Sequence, residues 1–229
     1  MSRLLTKSVA NYYQKAWKKR AKEDKTITFF TYERNCILPP FFKQKEKVLD
    51  LASGSSIVGQ HLQKHYNCQV IALDISKKAI ALAKKKGVKA IVHSTEKKLP
   101  FKKGSFDMVF WGDNIEHLWN PEKTLKEIHR VLKSKARLIL STPNQAYWLY
   151  RGYMFLKGAP PKTEAYSNKP WQWEHIRFFN KTILKELLSL TGFKITKFAG
   201  TSRRIMDRPF YKLMPELFAS IIVIEARKI

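Results

Sequence analysis

The amino-acid sequence predicts an α/β protein built on a doubly wound parallel sheet. Three observations carry that prediction. Lys47 to Gly59, KVLDLASGSSIVG, runs from an apolar stretch through an aspartate and a bend of small residues into a helical pattern. A second apolar stretch, QVIALDIS, again ends in an acid, Asp74. It falls about 20 residues past the turn, the interval at which a second strand places a carboxylate on ribose hydroxyls. Apolar runs and helical patterns then alternate, the order that a parallel sheet with helices on both faces requires.

The elements follow in order. Leu4, Leu5, Val9, Tyr12, Tyr13 and Trp17 recur at helical spacing within residues 3–22, predicting an amphipathic leading helix able to close over a cofactor. Lys25 to Phe42 reads as helical or irregular, with Phe29, Phe30 and Tyr32 facing core or pocket and Pro39-Pro40 as a stop. Val48, Leu49 and Leu51 form a strand buried on both faces. Helices are expected over 57–65 and 77–86, the latter closed by Gly87, with strands over 69–73 and 88–92. FDMVFW, 106–111, is the fourth strand. A helix over 121–132 opens on Pro121, and 137–141 is the fifth strand.

Residues 143–175 break the alternation with Pro143, Pro160, Pro161, Pro170 and a run of aromatics that includes Tyr147, Trp148, Tyr150, Trp171 and Trp173. A segment this long at the carboxyl edge of a sheet reads as a substrate lid. A helix over 180–191, a strand over 194–199, a short helical stretch around 211–217 and a final strand over 219–226 complete the chain.

Composition bounds the function. The chain has 229 residues, enough for one domain with a sizeable core. No run reaches the roughly 18 apolar residues needed to cross a bilayer and no secretory leader is seen, so the expected location is cytoplasmic. The formal charge is +26, but the basic residues are scattered in short groups at expected helix ends and turns. That distribution suits solvated faces, so a nucleic-acid partner ranks below a small-molecule substrate. Arg151 and Lys157 among aromatics leave peripheral contact with an anionic membrane as a further alternative. Cys36 and Cys68 lie far apart and read as ordinary buried thiols.

Over nearly its whole length the chain resembles the class I S-adenosylmethionine-dependent methyltransferases. VLDLASGS is similar to their cofactor loop, VIALDIS to their ribose-binding strand, LPFKKGSFDMVFWGDNIEHLWNPEKTLKEIHRVLK to their fourth strand and helix, and RLILSTPN to strand five. The resemblance implies a Rossmann-like, seven-stranded, mostly parallel sheet whose last strand is antiparallel and inserted between strands five and six. Residues 1–46 would be a helical segment capping the cofactor site, and 47–229 the methyltransferase domain with its aromatic insert at 143–175.

The resemblance also implies a site. S-adenosylmethionine, leaving as S-adenosylhomocysteine, would lie against Asp50, Ala52, Ser53, Gly54, Asp74 and Ile75, with Ser94, Thr95 and Glu96 toward the adenine. The family has glycines where this chain has Ala52 and Ser56, and non-glycine residues resist positive φ. An acid common after strand three is replaced by Ser94, leaving Ser94 or Glu96 to accept from the adenine amine. Asp113 and Asn114 would reach the cofactor's methyl end and the acceptor. Asp113, Glu116 and His117 resemble the acidic-x-x-Glu-His pattern of ubiquinone-biosynthesis O-methyltransferases, where these groups can hold a divalent metal. Here a metal ranks below use of His117 as a general base. His175, in aromatic surroundings, is the second catalytic candidate. The insert is also similar to that of the methionine-biosynthesis W proteins. The expected reaction is methylation of a small molecule, O-methylation first, with an RNA methyltransferase or a non-catalytic partner protein as alternatives.

Overall fold

The computed structural model describes residues 3–20, 28–159, 161–163 and 175–229, apart from the side chains of residues 3–9 and Lys19. Pro160, Pro170, Trp171 and Trp173 lie outside the described residues. Strands β1 (Lys47–Leu51), β2 (Gln69–Asp74), β3 (Lys89–Val92), β4 (Phe106–Gly112), β5 (Leu132–Pro143), β6 (Phe193–Thr201) and β7 (Ile221–Lys228) form one sheet in the order β3-β2-β1-β4-β5-β7-β6. β7 runs antiparallel to both β5 and β6, and the other pairings are parallel. This is the insertion that the resemblance implies.

Both faces of the central strands are buried, because successive side chains point to opposite sides. On one face Leu49 and Leu51 pack with Trp111, Leu138 and Leu140 and with residues of α4 (Pro121–Val131) and α6 (Lys181–Leu190). On the other, Val48, Ala72 and Met108 meet Leu62 of α2 (Ile57–Tyr66) and Ile80 and Ala83 of α3 (Lys77–Lys85). Helices α3, α4 and α6 start where a side chain caps them. Ser76, Asn120 and Asn180 each accept a hydrogen bond from the backbone N–H three residues on, at Ala79, Lys123 and Ile183. Pro121 adds a pre-set φ to the first turn of α4. The antiparallel β7 is locked by buried Arg137, whose guanidinium donates to Glu225 Oε2 at 2.8 Å and Glu46 Oε2 at 2.5 Å.

The leading helix α1 spans Arg3–Arg20, and the last two positions of the expected helix, 21 and 22, lie outside the described residues. From Thr28 onward the described chain is irregular, with short 3-10 turns at Phe29–Thr31, Glu33–Ile37 and Pro39–Phe41. Phe29 is in the core, Phe30 is exposed and Tyr32 faces the cavity described below. Cys68 is buried, but Cys36 is exposed, contrary to expectation. Its neighbour Asn35 takes the inward position of that turn and donates to Phe29 O at 2.8 Å. β5 begins at Leu132 rather than 137, with Leu132 opposite Phe106 across a register shift. The exposed Lys133, Ser134 and Lys135 hide that early start from an apolar-pattern reading. α5 (Trp148–Lys157) lies in the insert, and the stretch before β7 makes two short helices, α7 (Arg208–Tyr211) and α8 (Pro215–Phe218). No helix among the described residues is long and apolar enough to cross a membrane.

Candidate active site

The carboxyl ends of β1, β2 and β4 open into one cavity of about 1020 Å³. Small-molecule sites typically occupy about 300–1,000 Å³, so there is room for a nucleoside-sized cofactor and a second molecule. Every residue that the sequence singles out for cofactor or chemistry lines it. Asp50, Ala52, Ser53, Gly54, Asp74 and Ile75 form the β1 and β2 side. Ser94, Thr95 and Glu96 follow β3, and Asp113, Asn114, His117 and His175 form the opposite wall.

The turn after β1 is held from both ends. Ser53 N donates to Leu73 O at 3.0 Å, and Gly54 N donates to Asp74 Oδ2 at 2.9 Å. Asp74 Oδ1 accepts from Ser76 N at 2.8 Å. Burial pushes the Asp74 carboxyl above its ordinary range, while the N–H groups of Ser76, Gly54 and Ile75 oppose the shift. Ala52, Gly54 and Ser56 all take left-handed backbone, with φ of 54°, 56° and 53°. The turn therefore adopts a positive φ at the two positions where glycine is absent.

Asp50 is buried and accepts a 2.6 Å hydrogen bond from Ser56 Oγ. Burial raises its pKa to about 7 against the lowering effect of the Ser56 hydroxyl, the Arg34 charge and the Gly59 N–H. Above the turn, α1 closes the site. The Trp17 indole sits so near Gly54 that a Cβ there would lie 2.5 Å from its Cζ2. Gln14 Oε1 accepts from Ser76 Oγ at 3.3 Å and Lys78 N at 3.2 Å.

The loop after β4 forms the other wall. Asp113, at φ 48°, accepts from Ser141 Oγ at 2.7 Å and from Arg34 Nη1 at 2.6 Å. Asn114 Oδ1 is engaged by Trp111 Nε1 at 2.9 Å, and Glu96 Oε1 by Trp119 N at 3.0 Å. Glu116 is buried. Its Oε2 accepts from Thr142 Oγ1 at 3.0 Å, whereas Oε1 has no hydrogen-bond partner. Burial first, then the Asp113 charge, raises the Glu116 pKa to about 8.

His117 and His175 meet edge to face with ring centroids 4.7 Å apart. The contact arises because the Glu116 carbonyl accepts from both Ile176 N and Arg177 N at 3.0 Å, drawing the end of the insert against the β4 loop. Burial and the neighbouring His117 hold the His175 pKa down to about 4, so its ring is neutral near pH 7. One donor atom from each of Glu116, His117 and His175 lies within 4.8 Å of the others. An unpartnered carboxylate oxygen beside two imidazoles is a donor set that fits a divalent cation.

Arg34 is the functional-wall residue that sequence patterning missed. It lies in an irregular segment without periodicity, yet it reaches across to Asp113 and stacks over Phe110 at 5.4 Å. Tyr147, Tyr150, Ser202 and Arg203 also line the cavity. Tyr147 and Ser202 converge on Asp207 Oδ2, each at 2.5 Å.

Residues 49–140 match the family model described as a methyltransferase domain. An uncharacterised protein of Methanocaldococcus jannaschii is 29% identical over 236 residues, covering 96% of this chain and 91% of that one. A demethylmenaquinone methyltransferase of Staphylococcus saprophyticus is 27% identical, covering 81% of each. Among solved structures, an S-adenosylmethionine-dependent methyltransferase from Methanosarcina mazei aligns with a TM-score of 0.62 at 21% identity, over 84% of this chain and 97% of that one. The strand order, the acid-terminated β1 and β2 around one cavity, and the domain match give the chain the fold of the class I S-adenosylmethionine-dependent methyltransferases, with a methyltransferase domain over residues 49–140.

Proposed function

We propose that the enzyme methylates a small hydroxylated aromatic molecule, with transfer to oxygen as the principal reaction. The observation that carries this reading is the pairing of His117 with His175 across the cavity from the Asp50 and Asp74 turn. Methyl transfer from a sulfonium is an in-line displacement, so the protein has mainly to align donor and acceptor and to relieve the acceptor of its proton. In this reading Asp74 holds the ribose hydroxyls, Gly54 admits the methionine portion, and Ser94, Thr95 and Glu96 lie along the adenine. His117 accepts the acceptor's O–H proton as oxygen takes the methyl group. His175, whose ring binds a proton only weakly, shapes and desolvates the acceptor wall.

A second reading, transfer to a ring carbon of a hydroquinone, has two supports. One is the named activity of the Staphylococcus relative. The other is α5, which has no buried or acidic residue and exposes Phe155 at 89% and Leu156 at 77% beside Lys157, a surface suited to meeting a lipid-borne acceptor. A phenol that loses its proton becomes nucleophilic at oxygen and at ring carbon, so the same base serves both outcomes.

Calorimetry with S-adenosylmethionine and S-adenosylhomocysteine tests the cofactor assignment. Asp74→Ala should weaken both by about 1–3 kcal/mol, through loss of the ribose contact. Absence of binding at roughly millimolar ligand would sink the reading. Incubation with catechols and hydroquinones, followed by mass spectrometry, should give methyl ethers. His117→Ala should slow that turnover by about 10²–10⁴-fold with cofactor affinity retained.

A further inference from the structure

We propose that Glu116, His117 and His175 bind a divalent first-row transition ion at the acceptor wall of the cavity. Glu116 is 2% exposed, and its Oε1 lacks any hydrogen-bond partner. Buried polar atoms are nearly always satisfied, so an orphaned carboxylate oxygen facing a cavity points to a missing positive partner. Thr142 fixes the other oxygen at 3.0 Å and so sets the plane of the carboxylate.

His117 Nε2 lies 4.0 Å from Glu116 Oε1. That gap is too long for a hydrogen bond. Ligands bound at about 2.0–2.2 Å in a tetrahedral site stand roughly 3.3–3.6 Å apart, so a small side-chain closure would bring these two atoms onto one ion. His175 brings the third donor, all three lying within 4.8 Å of one another. The Thr163 hydroxyl stands 2.6 Å from His175 Nδ1, which leaves Nε2 as the ring's other donor atom and supplies the outer support that ligating imidazoles usually have.

This donor set differs from the one that the acidic-x-x-Glu-His resemblance implies. Asp113 is withdrawn from it, since Ser141 and Arg34 occupy its two oxygens. His175 takes the third place, because Ile176 and Arg177 tie the end of the insert to the Glu116 carbonyl. One carboxylate with two imidazoles favours manganese, iron, cobalt or zinc over magnesium, which prefers oxygen ligands and octahedral hydration.

The inference deepens the oxygen-methylation reading and rests on it. Glu116, His117 and His175 would hold the ion, which would supply Lewis acidity that lets the acceptor's O–H proton leave to solvent, so that the oxygen can take the methyl group while the sulfur keeps the electron pair of the broken bond. With an ion bound, His117 would serve as a ligand, and its role as proton acceptor would belong to the metal-free enzyme.

The test uses the full chain freed of metal by a chelator. Mn(II) binding is followed by electron paramagnetic resonance and Co(II) binding by visible absorption, with S-adenosylmethionine affinity measured on every variant. A single saturable site is expected, and magnesium should not displace the ion. Glu116→Gln and His175→Asn should each weaken it by at least about tenfold, and Thr163→Val, which removes no ligand, by about tenfold. His65→Asn, on α2, should leave it unchanged. Absence of a saturable site in the parent chain overturns the proposal, as does equal binding in Glu116→Gln and His175→Asn. S-adenosylmethionine binding that survives either result shows that the methyltransferase reading stands without the ion.

Discussion

Ser56 donates a 2.6 Å hydrogen bond to Asp50 from a backbone held at φ 53°, so the residue that replaces a loop glycine is also the side-chain partner of the buried carboxyl at the end of β1. A left-handed conformation costs a non-glycine residue about 1–2 kcal/mol. A hydrogen bond returns about 0.5–1.5 kcal/mol to a neutral partner and about 1.5–3 kcal/mol to a charged one, so the bond offsets a strain of similar size. Two substitutions separate these terms. Ser56→Ala loses the bond and keeps the strain, whereas Ser56→Gly loses the bond and relieves it. Denaturant unfolding should show Ser56→Ala destabilised by about 2 kcal/mol and Ser56→Gly by about half as much. Equal stability of Ser56→Ala and the parent chain would show that the hydroxyl contributes nothing.

Trp17 and Gly54 form the contact by which α1 closes on the cofactor turn. A methyl group at Gly54 would lie 2.5 Å from Trp17 Cζ2 and would sit on a backbone at φ +56°. Gly54→Ala should therefore lift the end of α1, seen as faster hydrogen exchange in residues 10–20, and weaken cofactor binding. In a Trp17→Ala background the steric part disappears and only the backbone strain remains. The double-mutant cycle should give a coupling of about 0.5–3 kcal/mol. Zero coupling would mean that the two residues do not meet in solution.

The parts of this site that a local pattern can encode were legible in the sequence. An apolar run, an acid and a small-residue bend occupy adjacent positions, so Asp50, the turn and Asp74 could be assigned by spacing. The strain at Ala52 and Ser56 was readable for the same reason, since both adopt the positive φ that only glycine takes freely. Its compensation was not readable, because no rule of spacing says that the Ser56 hydroxyl turns back to Asp50. Arg34 and Asp113 are 79 positions apart, and their ion pair depends on how an irregular segment crosses the sheet. His117 and His175 each stood out as candidates, but their contact follows from two backbone hydrogen bonds to Glu116 that leave no mark on composition.

Asp50 also sets an expected pH dependence of stability. Its pKa is about 7 in the folded chain against an ordinary 3.8, the main cause being burial. The folded state thus holds this proton more tightly than the unfolded state does. Over the interval between the two values the folded chain binds more protons, so stability falls as pH rises. The contribution is present in full below the unfolded value and is lost as pH passes through about 7. Ionising Asp50 in place then costs on the order of a few kcal/mol. Asp50→Asn keeps the shape and an acceptor for the Ser56 hydroxyl but cannot ionise. Melting temperatures of the two proteins should converge near pH 4. They should separate progressively toward about pH 8, with the parent chain falling by several degrees relative to the variant, at about 2–4 °C per kcal/mol for a chain of this size. Groups remote from Asp50 act alike in both proteins, so the difference curve reports Asp50 together with its coupling to Asp74. A flat difference would mean that Asp50 titrates at its ordinary value, and that the Ser56 hydroxyl, Gly59 N–H and Arg34 charge together cancel the cost of burial.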